Sequence, residues 1–592
     1  LMDKTGIIVV SICAALLALW FVEQQKQEAL RRQELATNQV ARPILPTAPS
    51  LPEPSPSSFD TNIAEQTLAL TNGRARYTFT SRGGGIESVD LLDQPETVSA
   101  RWQANQARRN KNVVSLNARA SVPILAVLGA TNLIGNGNFT LTETDGVVVA
   151  EKNLSNGLRL VKEFRPGSND LISASVRFEN SSALPIHLPA QDIVVGTATP
   201  IDPDDTYFGT YGGLMWYDGV KSQTANLGYF SPATRFLFFF PRTPKTGYEA
   251  GMGNVSWAAA YNQYFVMLAM PQSPAHEVLG RPVDLAPFPG IEQATNATLD
   301  RGIQTSLVYP RQTLPPHSRV ERQITLYTGP KEYRTLARIG EIFHNNADLT
   351  MNWGSGLMSF FGIGTFFAKL LLSAMNGLHD VTGMGYGWTI VVITVILRGL
   401  FWPLMAASMK SGRRMQALAP EIKALKEKYK DDPQKFTQKQ WELFRKHKVN
   451  PMSGCLPAVV QMPVFFGFFT MLRSSIELRG AHFLWVTDLS KPDTLFMIPG
   501  LDFPLNLLPL LMVGVMVVQA HLQPPSPGAD PSQQKMMRYF PLIMLLFLYN
   551  YQSGMALYMT VSTLMSVIQI RFTRLAPAQA QPPAPAPQKS KR

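Results

Sequence analysis

The sequence predicts an α-helical membrane protein that carries a large all-β domain outside the membrane. Three observations support this fold class. A mean hydropathy of −0.01 averages a polar N-terminal half and an apolar C-terminal third of the 592-residue chain. Short runs of alternating or β-branched residues recur between residues 60 and 330. Five long apolar segments then follow residue 386.

The N-terminal region predicts a membrane anchor and a linker. An apolar run of 17 residues is typical either of a signal-peptide core or of a short span. No small-residue cleavage site follows it, so we expect an uncleaved anchor over residues 1–23. Six prolines make residues 24–59 an extended linker. The Pro/Ala/Gln-rich segment 573–592 is expected to be a basic, disordered cytoplasmic tail.

Residues 60–345 are predicted to form a β-sandwich closed by one helix near residues 331–343. The pair Asn156-Gly157 separates two of the strands and predicts a hairpin turn. The expected strands are 77–80, 146–150, 158–164, 172–178, 236–240 and 319–327.

Little in the β-region indicates chemistry. Asp202, Asp204 and Asp205 could bind a cation, but a solvated acidic loop is the preferred interpretation. The Gly83–Gly85 triplet lacks the Lys and Ser/Thr of a phosphate loop, so a plain turn is expected. The two cysteines, Cys13 and Cys455, both lie in or beside apolar runs outside this domain, which excludes a disulfide framework there and Cys-based metal sites. We expect no cofactor and no catalytic residues.

The apolar third predicts an interfacial helix followed by a membrane core. Residues 351–380 are apolar but Gly-rich and interrupted by Lys369, as in a helix that lies in the membrane interface. The core, residues 386–572, contains a basic segment, 410–448, with twelve positive and five negative side chains. Such segments favour the cytoplasmic side, which places the β-domain outside and both termini inside. The five expected spans are 386–409, 454–472, 495–521, 537–551 and 554–572.

The basic segment 410–448 is predicted to be a hairpin of two amphipathic helices. Its cations either form a solvated face against lipid headgroups or also meet an arriving substrate or ribosome. Candidate contact residues are Arg413, Arg414, Lys423 and Lys426. The apolar residues at helical spacing, which should pack between the two helices, are Met415, Leu418, Ile422, Leu425, Tyr429, Trp441 and Phe444.

Arg398 is the main candidate for function in the membrane core. It lies near the middle of its predicted span, where an Arg costs roughly 2.5–3.5 kcal/mol and usually marks a polar pathway or a paired charge. Three of the other predicted spans contain no carboxylate, and the fourth has only Asp502 near its outer end. We therefore expect Arg398 to face a hydrated cavity; the alternative is a side chain that extends to the cytoplasmic headgroups.

Other residues support such a cavity. Thr394 lies one turn before Arg398, and the remaining spans carry Gln461, Ser562, Thr563 and Gln569, each of which could instead simply join helices. Nineteen of the 24 methionines follow residue 350, as suits a surface that accepts varied apolar segments, although ordinary packing explains any single one.

Several short stretches of the C-terminal third carry a family resemblance: the stretch from Asn450 to Pro457, the stretch from Gln461 to Phe466, Arg398, the pair Ser553-Gly554, and Leu557-Tyr558. Through them the chain resembles the YidC/Oxa/Alb family of membrane protein insertases, and the arrangement of anchor, linker and β-domain agrees with its Gram-negative members. The chain departs from the family pattern at Ser453, where Gly is frequent, and at Met559, where a second aromatic is frequent.

The resemblance implies that the protein helps others into the bacterial inner membrane. It implies a five-span core around a hydrophilic groove and a periplasmic β-supersandwich. Expected partners are nascent membrane proteins, the Sec translocon with its accessory proteins, ribosomes and membrane lipids, without nucleic-acid specificity. Groove or substrate-contact positions would be Arg398, Thr394, Gln461 and Tyr558, with Met462 and Phe465 on the apolar path.

Two other classes stay open on sequence alone. A solute transporter or channel subunit is disfavoured because the spans show no evident inverted repeat. An enzyme anchored in the membrane and acting through its β-domain is disfavoured because no paired acid/base residues are evident.

Overall fold

The computed structural model describes residues 59, 63–96, 112–168, 170–203, 205, 208–231, 233–235, 240–242, 245–288, 300–353, 363–430, 432–447, 456–500, 503–522 and 531–575. The predicted anchor 1–23, all of the linker 24–59 but its last residue, and most of the tail 573–592 lie outside these residues. The chain divides into two compact units. One is β-rich and the other is helical, and each is described by itself.

The β-rich unit is built on two large antiparallel sheets and a smaller one. Its strands are β1 Thr67–Asn72, β2 Ala75–Thr80, β3 Gly85–Pro95, β4 Val113–Leu116, β5 Val127–Leu128, β6 Thr140–Thr144, β7 Val147–Asn153, β8 Leu158–Pro166, β9 Leu171–Asn180, β10 Ile186–Leu188, β11 Gln191–Ala198, β12 Gly213–Tyr217, β13 Ser222–Asn226, β14 Ala233–Arg235, β15 Phe240–Arg242, β16 Tyr248–Ala250, β17 Trp257–Tyr261, β18 Phe265–Pro271, β19 Glu277–Asp284, β20 Arg301–Tyr309, β21 Gln312–Leu314 and β22 Arg319–Pro330.

Sheet order explains how this unit forms a core. Nine strands follow the order β13-β12-β17-β18-β22-β9-β8-β7-β6, and five follow β16-β19-β20-β11-β5. β17, in the nine-stranded sheet, packs on β11 and β20 of the five-stranded sheet. The strands that the two sheets press together are buried along their whole length, as in β11 and β18, and an edge strand such as β6 is mostly exposed. The β-sandwich prediction is confirmed.

The predicted turns are also confirmed. Asn156-Gly157 lies between the antiparallel strands β7 and β8, with Gly157 at φ +84° and the Asn156 side chain accepting from the Leu158 N–H at 3.1 Å. Positive φ is the reason Gly suits this position. Gly83 and Gly84, at φ +73° and +56°, form a turn between β2 and β3. Of the expected strand 236–240, only residue 240 is described.

Both units contribute helices. They are α1 Thr131–Ile134, α2 Phe208–Tyr211, α3 Leu227–Phe230 and α4 Tyr333–Phe343 in the β-rich unit, then α5 Ile363–Thr382, α6 Tyr386–Leu400, α7 Trp402–Ala417, α8 Ala419–Lys428, α9 Pro433–Lys446, α10 Leu456–Ser474, α11 Leu507–Leu522, α12 Pro531–Leu548 and α13 Ser553–Leu575. Short 3-10 turns occur at Ala347–Met351 and Ile476–Leu478. The helix predicted near 331–343 is α4.

Two predicted spans need correction. The span 386–409 is not one helix: α6 ends at Leu400 and α7 begins at Trp402, because Pro403 lacks the N–H that would bond the Gly399 carbonyl. The span 495–521 begins as an antiparallel hairpin, β23 Thr494–Ile498 and β24 Phe503–Asn506, and only α11 is helical. Gly500, at φ +84°, lies in the turn of this hairpin.

Length and composition single out few described helices as candidate spans. Ser553–Phe572 in α13 is long and apolar enough on its own. Gly364–Thr382 and Tyr386–Leu400 meet the same test only as a pair bent by 118°. Leu507–Leu522 and Arg538–Leu548 are apolar but shorter.

The basic segment forms the predicted helical hairpin, α8 and α9, after the end of α7. Leu418, Ile422 and Phe444 are buried together, with Met415, Phe436 and Leu443 packed against them. Three predicted core residues lie outside this cluster: Leu425 and Tyr429 are only half-buried, and Trp441 is 53% exposed. It lies three residues before Phe444, so its ring contacts Phe444 from outside the hairpin core at a centroid distance of 6.4 Å.

Candidate functional site

Arg398 lies in the last turn of α6 and bonds to α13. Its Nε donates to Ser562 Oγ at 2.9 Å, and Nη2 donates to the same oxygen. The side chain is half-buried, and among the described residues no carboxylate forms an ion pair with it. Arg398 is therefore a cation whose described protein partner is an uncharged hydroxyl.

Ser562 belongs to a polar stripe on α13. Tyr558, Ser562, Ser566 and Gln569 follow one another at spacings of four, four and three residues, which places them on one face of the helix. All four are buried, with exposures of 3–6%. The hydroxyls of Ser566 and Thr560 donate to backbone carbonyls of α13 itself, whereas Gln569 donates to the Trp402 carbonyl at 3.0 Å. The stripe therefore faces α6 and the start of α7.

Tyr558 joins this polar stripe to an aromatic surface. Its hydroxyl has the Ser562 and Gln461 side chains as hydrogen-bonding neighbours. Its ring stacks on Phe468 with centroids 4.3 Å apart, and Phe465 lies 6.3 Å away. These contacts bring α10 against α13 and put the polar and apolar candidates side by side.

Four of the predicted groove residues therefore meet: Arg398, Tyr558, Gln461 and Phe465. Thr394 is buried on the same helix as Arg398, but its Oγ1 donates to the Ile390 carbonyl at 2.6 Å, so its proton is used within α6. Met462 does not join the cluster and is 53% exposed.

Two features of the site were not predicted. Ser566 was missed, although its spacing of four from Ser562 was a usable signal. The hydrogen bond from Gln569 to the Trp402 carbonyl depends on the break of the helix at Phe401. The apolar pattern of the sequence does not reveal this break.

The basic hairpin residues lie apart from this cluster, in α7 and α8. Lys423 and Lys426 are exposed on α8, and Arg414 lies in the last turn of α7. Arg413 is part of α7 as well. Exposed cations beside the hairpin core form a basic surface, but its binding partner stays a prediction.

Two of the three aspartates in the acidic cluster of the β-domain are described. Asp202 is buried, and Asp205 Oδ2 accepts from the Ile201 N–H at 3.5 Å; Asp204 is not described. Among the described residues, no group of three or more His, Cys, Asp or Glu is placed to hold a metal ion.

The β-sandwich domain is followed by apolar helices, and Arg398 lies in a polar contact between two of them. These features are typical of a membrane protein with a large water-exposed domain. Family models agree: residues 67–373 match the YidC periplasmic domain, and residues 377–579 match the 60Kd inner membrane protein. The chain belongs to the YidC family of the bacterial inner membrane, a family of membrane protein insertases and not of enzymes.

Two sequence relatives agree with the family models. A protein of Polynucleobacter necessarius subsp. necessarius is 31% identical over 70% of this chain and 67% of its own, and one of Janthinobacterium sp. is 27% identical over 90% and 91%. Both are named membrane protein insertase YidC. A solved active YidC insertase is 18% identical with a TM-score of 0.32, covering 86% of this chain and 92% of its own.

Proposed function

We propose that this chain inserts nascent membrane proteins into the inner membrane through a hydrated groove that contains Arg398. Family membership supports the insertase activity. The observation that supports the groove is the pairing of the Arg398 guanidinium with a hydroxyl, Ser562 Oγ, in place of a carboxylate. The sequence-based topology of five spans, an outer β-domain and cytoplasmic termini completes the proposal.

A neutral partner leaves Arg398 with a net charge to offer. A fixed carboxylate at this depth would neutralise the guanidinium and compete with any acidic group that arrives. Ser562 orients the guanidinium through Nε and Nη2 without neutralising it. The half-buried side chain can then attract an acidic residue in the hydrophilic flank of a substrate.

The apolar part of a substrate needs a separate surface beside that charge. Phe465 lies on α10 next to the Tyr558 ring that adjoins the polar stripe, and Met462, on the same helix, is exposed. A substrate span that moves along these side chains into lipid gains about 0.8 kcal/mol per buried CH₂. This partitioning drives insertion, so no nucleotide is required.

The proposed partners are matched to the charge of the hairpin. On the proposed cytoplasmic side, the exposed cations of α8 would meet a ribosome or an emerging chain, and lipid headgroups would neutralise them between encounters. Cooperation with the Sec translocon is proposed from the resemblance to the family.

The test is insertion of a small single-span substrate by the full-length protein in proteoliposomes. Arg398→Ala should reduce insertion of a substrate with an acidic flank more than insertion of one with a neutral flank, and Arg398→Lys should retain part of the activity because it keeps a charge. Arg571→Ala is the matched control, since it removes an exposed Arg from α13. Normal insertion of the acidic substrate by both Arg398 variants would refute the groove mechanism.

A further inference from the structure

The hairpin formed by β23 and β24 is apolar on both of its faces. Phe496 and Met497 are consecutive and paired in register with Leu505 and Pro504, so they point to opposite faces, yet they are 55% and 37% exposed. Leu495, at a bulge in the same strand, is 39% exposed. Phe503, on the facing strand, is 47% exposed. A hairpin with one face in water would alternate apolar and polar residues. This one has the composition of a hairpin surrounded by an apolar medium.

Hydrogen bonds fix the base of the hairpin to two helices. Asp493 Oδ2 accepts from the Leu508 N–H at 2.6 Å, at the start of α11. Asn506 Nδ2 donates to the Tyr549 carbonyl at 2.8 Å, just past the end of α12. The Tyr549 ring also stacks on Phe503, with centroids 5.1 Å apart. The hairpin therefore extends α11 and α12 as a rigid element.

The apolar surface of the hairpin continues that of α12. Leu546 and Phe547, in the last turn of this helix, are 80% and 69% exposed, and Tyr549 connects them to Phe503. The exposed surface of a membrane-spanning helix faces lipid. A surface continuous with it, and carrying the same side-chain types, has the same environment.

The length of α11 sets the depth of the hairpin. Its 16 residues span about 24 Å, which is shorter than the roughly 30 Å of a bilayer's hydrocarbon core. Residues 503–506, which directly precede Leu507, are β24 and can supply part of the missing length. In the sequence between Thr494 and Leu522 the only Asp, Glu, Lys or Arg is Asp502. The free edges of a two-stranded hairpin still need polar partners, which the headgroup region supplies.

We propose that residues 494–506 form a membrane-seated hairpin that inserts its apolar side chains into the outer leaflet of the inner membrane. This inference rests on the proposed five-span topology. Lipid is the occupant because the hairpin continues a lipid-facing helix surface and completes a helix that is too short to span the bilayer alone.

The test measures depth and not activity. Cys13 and Cys455 are replaced by Ser in the full-length protein, and a single Cys at position 496 (Phe496→Cys) carries an environment-sensitive fluorophore. The protein is reconstituted into phosphatidylethanolamine/phosphatidylglycerol vesicles doped with phosphatidylcholine brominated on its acyl chains. We expect blue-shifted emission and strong quenching by the brominated lipid.

Two matched probes separate the possible outcomes. Met252→Cys replaces an apolar residue of the β-domain that is 90% exposed and should not be quenched, and Leu546→Cys on α12 should be quenched. If 546 is quenched and 496 behaves like 252, the hairpin inference is overturned while the topology stands. If 546 is also unquenched, the topology fails and the hairpin inference fails with it.

Discussion

Lys331 gives the β-domain a pH dependence whose size can be worked out. The side chain follows β22, is 2% exposed, and its Nζ donates to the Asn262 carbonyl at 3.3 Å and lies 5.0 Å from the Tyr261 ring centroid. Burial lowers the pKa of Lys331 from 10.5 to about 7. Burial also raises the pKa of Tyr261, which keeps that hydroxyl protonated over the same range.

The sign follows from proton counting. Between the folded pKa of about 7 and the unfolded value of 10.5, the unfolded chain binds a proton that the folded chain lacks. The free energy of unfolding therefore rises with pH in this window and falls as pH decreases toward 7. The slope is about 1.4 kcal/mol per pH unit, so between about pH 7 and 9 Lys331 contributes a rise of about 2 kcal/mol.

The assay is equilibrium urea unfolding of the full-length protein in detergent, followed through Trp fluorescence at several pH values. Lys331→Met should flatten the curve by about 2 kcal/mol between about pH 7 and 9. Lys221→Met, which removes an exposed lysine of the same domain, should leave the slope unchanged. If Lys331→Met has the slope of the wild type, Lys331 is not held neutral by burial and the reasoning is wrong.

Two further predictions concern the helical unit. Ser562→Ala removes the acceptor of two Arg398 donors, a hydrogen bond to a charged group that contributes about 1.5–3 kcal/mol. It should lower the thermal midpoint, and it should reduce insertion of acidic-flank substrates less than Arg398→Ala does. Ser566→Ala is the control because the Ser566 hydroxyl bonds its own helix, and equal effects of Ser562→Ala and Ser566→Ala would contradict the prediction. Phe444→Ala removes one of three buried hairpin side chains, which should cost about 3–5 kcal/mol of stability and expose the backbone amides of α8 and α9 to hydrogen exchange. Trp441→Ala, which truncates an exposed side chain, should leave their exchange unchanged. Equal protection of these amides from exchange in the two variants would exclude the packing described.

The sequence was sufficient to predict the features that depend on the spacing of apolar residues and on charge. Strand alternation and the Asn156-Gly157 pair were enough for the sandwich and its turn, because a period of two determines which residues face the core. Apolar residues at helical spacing were enough to predict that Leu418, Ile422 and Phe444 are buried in the hairpin. Trp441 shows the limit, since a residue at the edge of an amphipathic stripe can lie on either side of the contact.

Hydropathy was less informative in the membrane core. Residues 494–506 are rich in Leu, Phe, Met and Ile, and a sliding average cannot distinguish an apolar strand from an apolar helix. Pro499, Gly500 and Pro504 were the local signals for a hairpin. The Arg398–Ser562 contact could not be predicted either, because sequence spacing relates residues within one helix but does not register one helix against another.

The interruption of the helix at Phe401 has a mechanical consequence. Arg398 lies one turn before it, and α7, which begins immediately after it, leads to the hairpin of α8 and α9. Gln569 holds the Trp402 carbonyl at this joint from the opposite helix. A force applied to the hairpin therefore acts through α7 on a break that lies one turn from the half-buried Arg398 side chain. Under the proposed function, a partner bound to the hairpin and an acidic substrate bound at Arg398 should change each other's affinity by the same factor.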